Sequence, residues 1–126
     1  MATITILQNI EQGVPSGNYD GSSESFFSNP AKANGYYLGY AGVQQVELRI
    51  ENFYGRVIIQ GTLGTVPLTA PWVNLTSFDY NDSTLSTLTA SQYVLGEYVY
   101  LRAQVVEFQS GKIDYLSTTY QVREDY

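Results

Sequence analysis

The sequence contains no cysteine and no histidine among its 126 residues. Without cysteine the chain can form no disulfide bond and no thiolate metal site, and without histidine most nucleophile–base pairs and most zinc sites are also excluded. The cellular compartment stays open, because a domain of this size can fold without disulfide bonds if its core is adequate. We therefore expect a protein without enzymatic activity, cofactor or bound metal.

Basic residues and long apolar runs are also scarce. Lys and Arg total 6 against 12 Asp and Glu, which gives a formal net charge of −6. Nucleic-acid binding requires clustered basic side chains opposite the phosphates, and the basic residues here are scattered. No run approaches the roughly 18 apolar residues of a membrane span. The start, MATITILQNIEQG, lacks the basic segment of a signal peptide. We expect neither nucleic acid nor a membrane as a partner.

Tyrosine and glycine are abundant instead, with 12 Tyr and 11 Gly against 5 Phe and 1 Trp. Aromatic and β-branched residues favour strands, and the many Gly, Ser, Thr and Asn residues favour turns between them. The length predicts a single domain over residues 1–126. Within it we expect an N-terminal strand and an extended loop or arm over 1–35, followed by a sandwich core over 36–126.

Alternation of apolar and polar residues locates the strands, because successive side chains in a strand point to opposite faces. Residues 13–34 interrupt this pattern and predict a long loop with a short helical turn near residues 30–33. A tight connection at residues 53–55 predicts that the strands before and after it form a hairpin, with a bulge at Gly61. The predicted strands cover residues 3–8, 35–40, 43–51, 56–63 and 72–80, with 83–90 as a strand or a loop.

The segment GEYVYLRAQVVEFQSGKIDYL, residues 96–116, has the clearest alternation. Gln109–Gly111 predicts a turn, and the chain resumes at Ile113 as the second strand of a long hairpin. All the segments together predict an all-β fold, a jelly-roll-like antiparallel β-sandwich of about eight strands. The expected core face of the first strand in this hairpin consists of Val99, Leu101, Ala103 and Val105, with Arg102 and Gln104 on the opposite face.

Two carboxylate pairs are candidates for acid–base chemistry or cation binding. Asp79 lies near Asp82 in the stretch DYNDS, and Asp20 lies near Glu24. Both pairs occur among Gly, Ser and Asn residues, where an aspartate usually supports a turn through its side-chain oxygen. We favour that turn role. A calcium site in DYNDS and a glycosidase-like acid–base pair are the alternatives.

The aromatic residues admit three interpretations: packing at sheet faces and rims, an interface with a protein partner, or stacking on sugars. Trp72 is the candidate for glycan stacking. Arg102 is the basic residue that we expect to cross a subunit boundary. The full set of interface candidates is Phe26, Phe27, Tyr36, Tyr37, Tyr40, Tyr98, Tyr100, Arg102 and Tyr120.

Three stretches carry a resemblance to a known family: VELRIENFYGRVIIQGTLG (46–64), Pro71–Trp72, and GEYVYLRAQVVEFQSGKIDYL (96–116). Together they resemble a small all-β virion structural protein of tailed bacteriophages, especially phages of T-even-like architecture that infect marine bacteria. These motifs are turns and strands, so they bear on the fold more than on the role. The first 35 residues match no pattern.

The resemblance implies a structural component of a virus particle, assembled in the host cytoplasm and located in the virion. The role we favour is a capsid decoration or cement protein that binds the assembled head. It would form a homo-oligomer and contact the major capsid protein or other virion proteins. A tail, neck or fibre component is one alternative. A carbohydrate- or receptor-binding β-sandwich module that stacks sugars on Tyr residues and Trp72 is another.

Overall fold

The computed structural model describes residues 2–33, 43–80, 87–96 and 98–120. Over these ranges the chain is all-β, and its strands pair antiparallel. None of the described segments forms a helix long and apolar enough to cross a membrane. The strands are β1 (Ala2–Glu11), β2 (Phe26–Phe27), β3 (Ala31–Lys32), β4 (Val43–Thr62), β5 (Val73–Tyr80), β6 (Thr87–Leu95) and β7 (Tyr100–Tyr120).

Two strands, β4 and β7, are long enough to take part in both layers of the sandwich. The second half of β4 pairs with the first half of β7, with β5 on one side and β2 and β3 on the other; this layer is the front sheet. The first half of β4 pairs with the second half of β7, with β6 and β1 at the edges; this layer is the back sheet. The result is a jelly-roll-like antiparallel β-sandwich, as the sequence predicts.

Both long strands turn a corner where they pass from one sheet to the other. In β4, Asn52 has a φ of 52°, and in β7, Glu107 and Gly111 have φ values of 54° and 89°. The pairing of β4 with β7 shifts register at the same place. Strands that switch sheets do so through such bulges and bends, which turn the chain without reversing it.

The two predicted hairpins are therefore wrong. Residues 43–51 and 56–62 belong to one strand, because both segments pair with β7 and not with each other. The same holds on β7, where Gln109–Gly111 bends the strand and does not reverse it. Gly111 is required at this corner, since a Cβ there would collide with the backbone carbonyl of Asn52.

The predicted core face of the last strand is largely confirmed. Leu101, Ala103 and Val105 are fully buried, whereas Val99, the residue before β7, is partly exposed. The back sheet adds apolar side chains from all four of its strands, so one continuous core lies between the sheets. These back-sheet residues are Leu7, Ile10, Val46, Leu48, Ile50, Val94, Ile113 and Leu116.

An aromatic cluster closes the core at the corners. Phe53 of β4 and Phe108 of β7 are buried, and their ring centroids are 5.4 Å apart. The ring centroid of Tyr19 lies 5.2 Å from that of Phe108 and 5.0 Å from that of Phe26. Burial of one such ring stabilises a fold by roughly 1.5–3 kcal/mol. The cluster therefore packs the N-terminal segment against the corners of β4 and β7.

The N-terminal segment pairs with β7 where the sequence predicts a helical turn. The short strands β2 and β3 both pair with β7, and between them the Ser28 N–H donates to the Ala103 carbonyl over 2.8 Å. The predicted turn near residues 30–33 is wrong because β7 offers an edge that satisfies these backbone groups. The predicted strand over 35–40 lies outside the described residues.

The remaining strands follow the prediction with shifted bounds. The strand predicted over 72–80 is β5, with Trp72 just outside it, and β6 begins within the segment 83–90, at Thr87. The bulge predicted at Gly61 is wrong: the register shifts between Ile59 and Gln60 because the partner strand β5 carries the extra residue, Leu75. This shift sets Gln60 opposite a polar residue of β5 on the outer face of the front sheet.

Candidate functional site

The outer face of the front sheet carries the candidate site. On β7 the buried Leu101 and Ala103 face the core, so Arg102 between them faces outward. Arg102 is paired in register with Gln60 of β4, and Gln60 is paired with Asn74 of β5. Side chains at paired positions of neighbouring strands share a face. We call Arg102, Gln60 and Asn74 the polar row.

Hydrogen bonds join the polar row from end to end. The Nε of Arg102 donates to the Oε1 of Gln60 over 2.7 Å. The Nε2 of Gln60 in turn donates to the Oδ1 of Asn74 over 2.7 Å. Gln60 is buried, and a buried amide without partners is costly, so the two bonds satisfy its side chain.

Arg102 also lies over two aromatic rings. Its guanidinium carbon is 4.3 Å from the ring centroid of Phe27 and 4.3 Å from that of Trp72. A guanidinium over an aromatic face is attracted by the ring quadrupole, by roughly 0.5–2 kcal/mol per ring. We call Phe27, Arg102 and Trp72 the arginine stack. The stack and the polar row share Arg102 and form one site.

The loop between β4 and β5 holds Trp72 in place. The indole Nε1 donates to the Pro67 carbonyl over 3.2 Å. The Val66 carbonyl accepts hydrogen bonds from the backbone N–H groups of Thr69 at 3.2 Å and Ala70 at 3.1 Å. These bonds close the loop on itself, so the protein alone sets the position of the indole.

Local hydrogen bonds also fix the edge that carries Phe27. The Nδ2 of Asn18 donates to the Phe27 carbonyl over 3.0 Å and to the Oδ1 of Asn29 over 2.9 Å. The hydroxyl of the buried Ser28 accepts a hydrogen bond from the Ala103 N–H over 2.8 Å. Phe27 itself is 41% exposed. Its ring therefore keeps surface that a ligand can contact.

Within the described residues, Arg102 is the arginine that has no carboxylate partner. Arg49 lies 3.4 Å from Asp114, and Arg56 lies 2.7 Å from Asp79, measured between side-chain nitrogen and oxygen atoms. Partial burial lowers the pKa of Arg102 from its ordinary value, although an arginine remains charged at neutral pH. The site thus contains a partly desolvated positive charge that no described carboxylate neutralises.

A shallow depression adjoins the polar row on the same face. Its volume is about 230 Å³, and Asn74 lines it together with Arg56, Ile58 and Ser77. The polar lining offers hydrogen-bond donors and acceptors, and Ile58 adds apolar surface. The candidate site therefore continues from the arginine stack across β4 to β5.

The structure brings together three residues that the sequence indicates separately, namely Phe27, Arg102 and Trp72. It adds Gln60 and Asn74, which no pattern in the sequence indicates. An amide at an outward strand position is common and carries no signal of its own. The bulge at Leu75 of β5, which sets Asn74 opposite Gln60, is the one local feature that marks them, and it depends on the pairing of β5 with β4.

The other interface candidates lie elsewhere. Phe26 and Tyr120 are 8% and 4% exposed. The structure assigns them to the core, where they offer little surface to a partner, which corrects their place among the interface candidates. Tyr98 is partly buried against the core, and Tyr100 is partly exposed at the start of β7. The remaining candidates, Tyr36, Tyr37 and Tyr40, lie outside the described residues.

The carboxylates support turns and surface pairs. Asp20 accepts hydrogen bonds from the Ser22 N–H at 2.9 Å, the Ser23 N–H at 2.7 Å and the Ser23 hydroxyl at 2.7 Å. These donors, the Ser22 N–H most strongly, lower the pKa of Asp20 from 3.8 to about 2. The turn role predicted for Asp20 is confirmed.

The second carboxylate pair does not meet in the described structure. Asp79 forms a surface ion pair with Arg56, and Asp82 lies outside the described residues. In the part of the chain that the structure describes, no three His, Cys, Asp or Glu side chains group to hold a metal ion.

Comparison with solved structures supports the fold. The chain is similar to the C-terminal CBM6 of LamC, a marine laminarinase from Zobellia galactanivorans. CBM6 is a carbohydrate-binding module. The TM-score is 0.54 and the identity is 14%, over 94% of this chain and 99% of that chain. It is also similar to the CBM22-1–GH10 modules of the xylanase Xyn10B from Clostridium thermocellum, with a TM-score of 0.43 and 10% identity over 98% of this chain and 26% of that chain. No protein-family model matches the sequence, and no curated protein matches it. At such low identity, the likeness to the LamC module shows the β-sandwich fold.

Proposed function

We propose that this chain is a non-catalytic carbohydrate-binding module that holds a glycan on the outer face of the front sheet. One observation carries the proposal: the arginine stack and the polar row place two aromatic rings beside hydrogen-bonding groups on a single face. Ligand sites combine apolar and aromatic surface with a few placed polar groups. Sugars match such a site because they present C–H faces to rings and hydroxyl groups to amides.

The overall fold agrees with this function. The LamC domain, a carbohydrate-binding module, is covered almost completely by this chain. A shared fold does not by itself fix a function, since functions reside in sites grafted onto folds. The side chains of the front sheet therefore carry the proposal, and the fold supports it.

In the proposed complex, aromatic rings contact the apolar faces of the sugars and polar side chains bind their oxygens. The exposed parts of Phe27 and Trp72 contact sugar C–H groups, while Arg102 and Asn74 donate hydrogen bonds to sugar oxygens. The depression beyond Asn74 holds a further part of the glycan. Because hydrogen bonds already hold the Trp72 indole and the polar row, and Arg102 packs on the Phe27 ring, little side-chain entropy is lost on binding.

Calorimetric titration with a panel of soluble polysaccharides tests the proposal. We expect saturable binding of at least one glycan, weakened about ten-fold or more by Trp72→Ala, as for an aromatic anchor. Tyr93→Ala is the matched control, because Tyr93 is 70% exposed on the outer face of the back sheet. Absence of binding across the panel, by protein that circular dichroism shows to be folded, contradicts the proposal. Equal loss in both variants contradicts the location of the site.

A structural component of a phage particle is a second candidate, and one separate observation favours it. The loop between β4 and β5 exposes apolar side chains, with Leu68 92% exposed and Leu63 70% exposed. Apolar side chains concentrated on an exposed loop favour contact with another protein. In this candidate the loop contacts the major capsid protein or another virion protein, and the homo-oligomer resides in the virion.

Co-sedimentation with assembled phage heads separates the two functions. A decoration protein sediments with heads, and Leu68→Glu abolishes this because a charge in an apolar contact is costly. A carbohydrate-binding module remains in the supernatant, and its Leu68→Glu variant still binds glycan. If the unsubstituted chain sediments with heads and binds no glycan, the structural role in a phage particle becomes the favoured function.

A further inference from the structure

The two rings of the arginine stack restrict how a ligand can meet Arg102. The guanidinium carbon lies 4.3 Å from each ring centroid, which is close to ordinary stacking contact. No ligand atom fits between the guanidinium and either ring at that spacing. A ligand therefore contacts Arg102 through its N–H groups and not by stacking on its plane.

The N–H groups that remain for a ligand are those of the two Nη atoms. The Nε hydrogen is already donated to Gln60. Among the described residues no acceptor is found for the Nη hydrogens. A guanidinium presents these donors in a rigid planar fork, which matches two acceptor oxygens held side by side.

The opposite end of the polar row also presents a donor. Because the Oε1 of Gln60 accepts from Arg102, its Nε2 faces Asn74, and the Oδ1 of Asn74 accepts that bond. The exposed Asn74 is left to present its Nδ2 amino group. Both ends of the row therefore offer hydrogen-bond donors, which favours a ligand rich in acceptors.

The charge distribution favours an anionic ligand. The other two described arginines, Arg49 and Arg56, each have a carboxylate partner, and Arg102 has none within the described ranges. Water screens a partly desolvated charge less than a fully hydrated one, so Arg102 attracts an anionic group more strongly than an exposed arginine would. Charge-assisted hydrogen bonds of this kind are about twice as strong as neutral ones.

We propose that the glycan is acidic and that Arg102 binds the carboxylate of a uronic acid unit through its two Nη atoms. This inference rests on the proposed function and names its substrate class. A planar carboxylate lies in the plane of the guanidinium fork. A sulfate ester also presents two oxygens to such a fork, so the test includes a sulfated polymer as the competing anion.

Paired polymers that differ only in charge test this inference. The probes are polygalacturonate, alginate and glucuronoxylan, each titrated beside its carboxyl-reduced form, with dextran sulfate as a non-carboxylate anion. We expect at least one uronate polymer to bind roughly ten- to hundred-fold more tightly than its reduced form, as for hydrogen bonds to a charged group. Arg102→Gln abolishes this preference. Arg49→Gln, on the back sheet, preserves it.

The outcomes separate failure of this inference from failure of the proposed function. Equal binding of a polymer and its reduced form overturns the acidic ligand and leaves carbohydrate binding in place. Dextran sulfate that binds as tightly as the best uronate polymer indicates general anion binding, which also overturns it. Folded protein that binds no polymer, charged or neutral, contradicts the proposed function itself. If Arg102→Gln does not fold, Gln60→Glu tests the same fork, because it supplies a competing carboxylate.

Discussion

Arg102 and Gln60 occupy directly paired positions on β7 and β4, and the Nε of Arg102 donates to the Oε1 of Gln60 over 2.7 Å. The partner is a neutral amide, so it orients the guanidinium without neutralising it. An acidic side chain at this position would have satisfied the arginine completely. The amide therefore leaves the charge of Arg102 available to a ligand.

Gln60→Glu should lower the affinity of the site for an acidic glycan. The new carboxylate lies beside the guanidinium and forms an ion pair that competes with the ligand. We expect uronate binding to fall roughly ten-fold or more. Binding of the carboxyl-reduced polymer should fall by less, since it loses only the order that the Gln60 amide gives to Asn74. Titration calorimetry measures both. Gln45→Glu adds the same charge on the outer face of the back sheet and should leave both affinities unchanged. Uronate affinity that survives in the Gln60 variant contradicts this role.

Gly111→Ala should destabilise the sandwich far more than Gly13→Ala. The two glycines have nearly the same φ, 89° and 90°. A Cβ at Gly111 would collide with the backbone of Asn52 at the corner, whereas nothing lies within 4 Å of a Cβ at Gly13. We expect a loss of about 3 kcal/mol or more at the corner and about 1 kcal/mol in the loop. Urea unfolding followed by circular dichroism measures the difference. Equal losses would show that the corner has room to relax.

Asp20→Asn should lower stability at neutral pH and not in strong acid. The donors from Ser22 and Ser23 hold the pKa of Asp20 at about 2, below the ordinary 3.8, so the fold favours the ionised carboxylate. This contribution is complete above the unfolded pKa and is lost as pH falls through the folded one. The difference in urea midpoint between the two proteins should therefore shrink between about pH 4 and pH 2. Ser23→Ala should raise the Asp20 pKa, as measured by NMR titration. A pKa that stays at about 2 in that variant would show that the serine hydroxyl is not needed.

Strand positions were predictable because they rest on local alternation, but the corners were not. A bend between sheets and a hairpin turn use the same residues, Gly and polar side chains with positive φ, and they differ only in which strand pairs with which. Phe53 and Phe108 are the local signal that distinguishes them. A large apolar residue at a hairpin tip would be exposed, yet both are buried where the strands cross between sheets.

The members of the arginine stack were predictable individually, but their meeting was not. Phe27, Trp72 and Arg102 stand out as large or charged residues at outward positions. They are far apart in sequence, and only the order of strands in the front sheet brings them together. Gln60 and Asn74 become recognisable once the register of β4 on both of its neighbours is known.

Tryptophan fluorescence reports on the arginine stack itself, because the chain contains 1 Trp and that residue belongs to the stack. The measurement is a titration of the folded protein with each glycan that calorimetry shows to bind. We predict a saturable change in Trp72 emission with a midpoint equal to the calorimetric Kd. The midpoint is preserved in Tyr93→Ala, and in Arg102→Gln it shifts for acidic glycans to that of their carboxyl-reduced forms. Calorimetric binding without any change in emission would place the glycan away from the arginine stack and contradict the account.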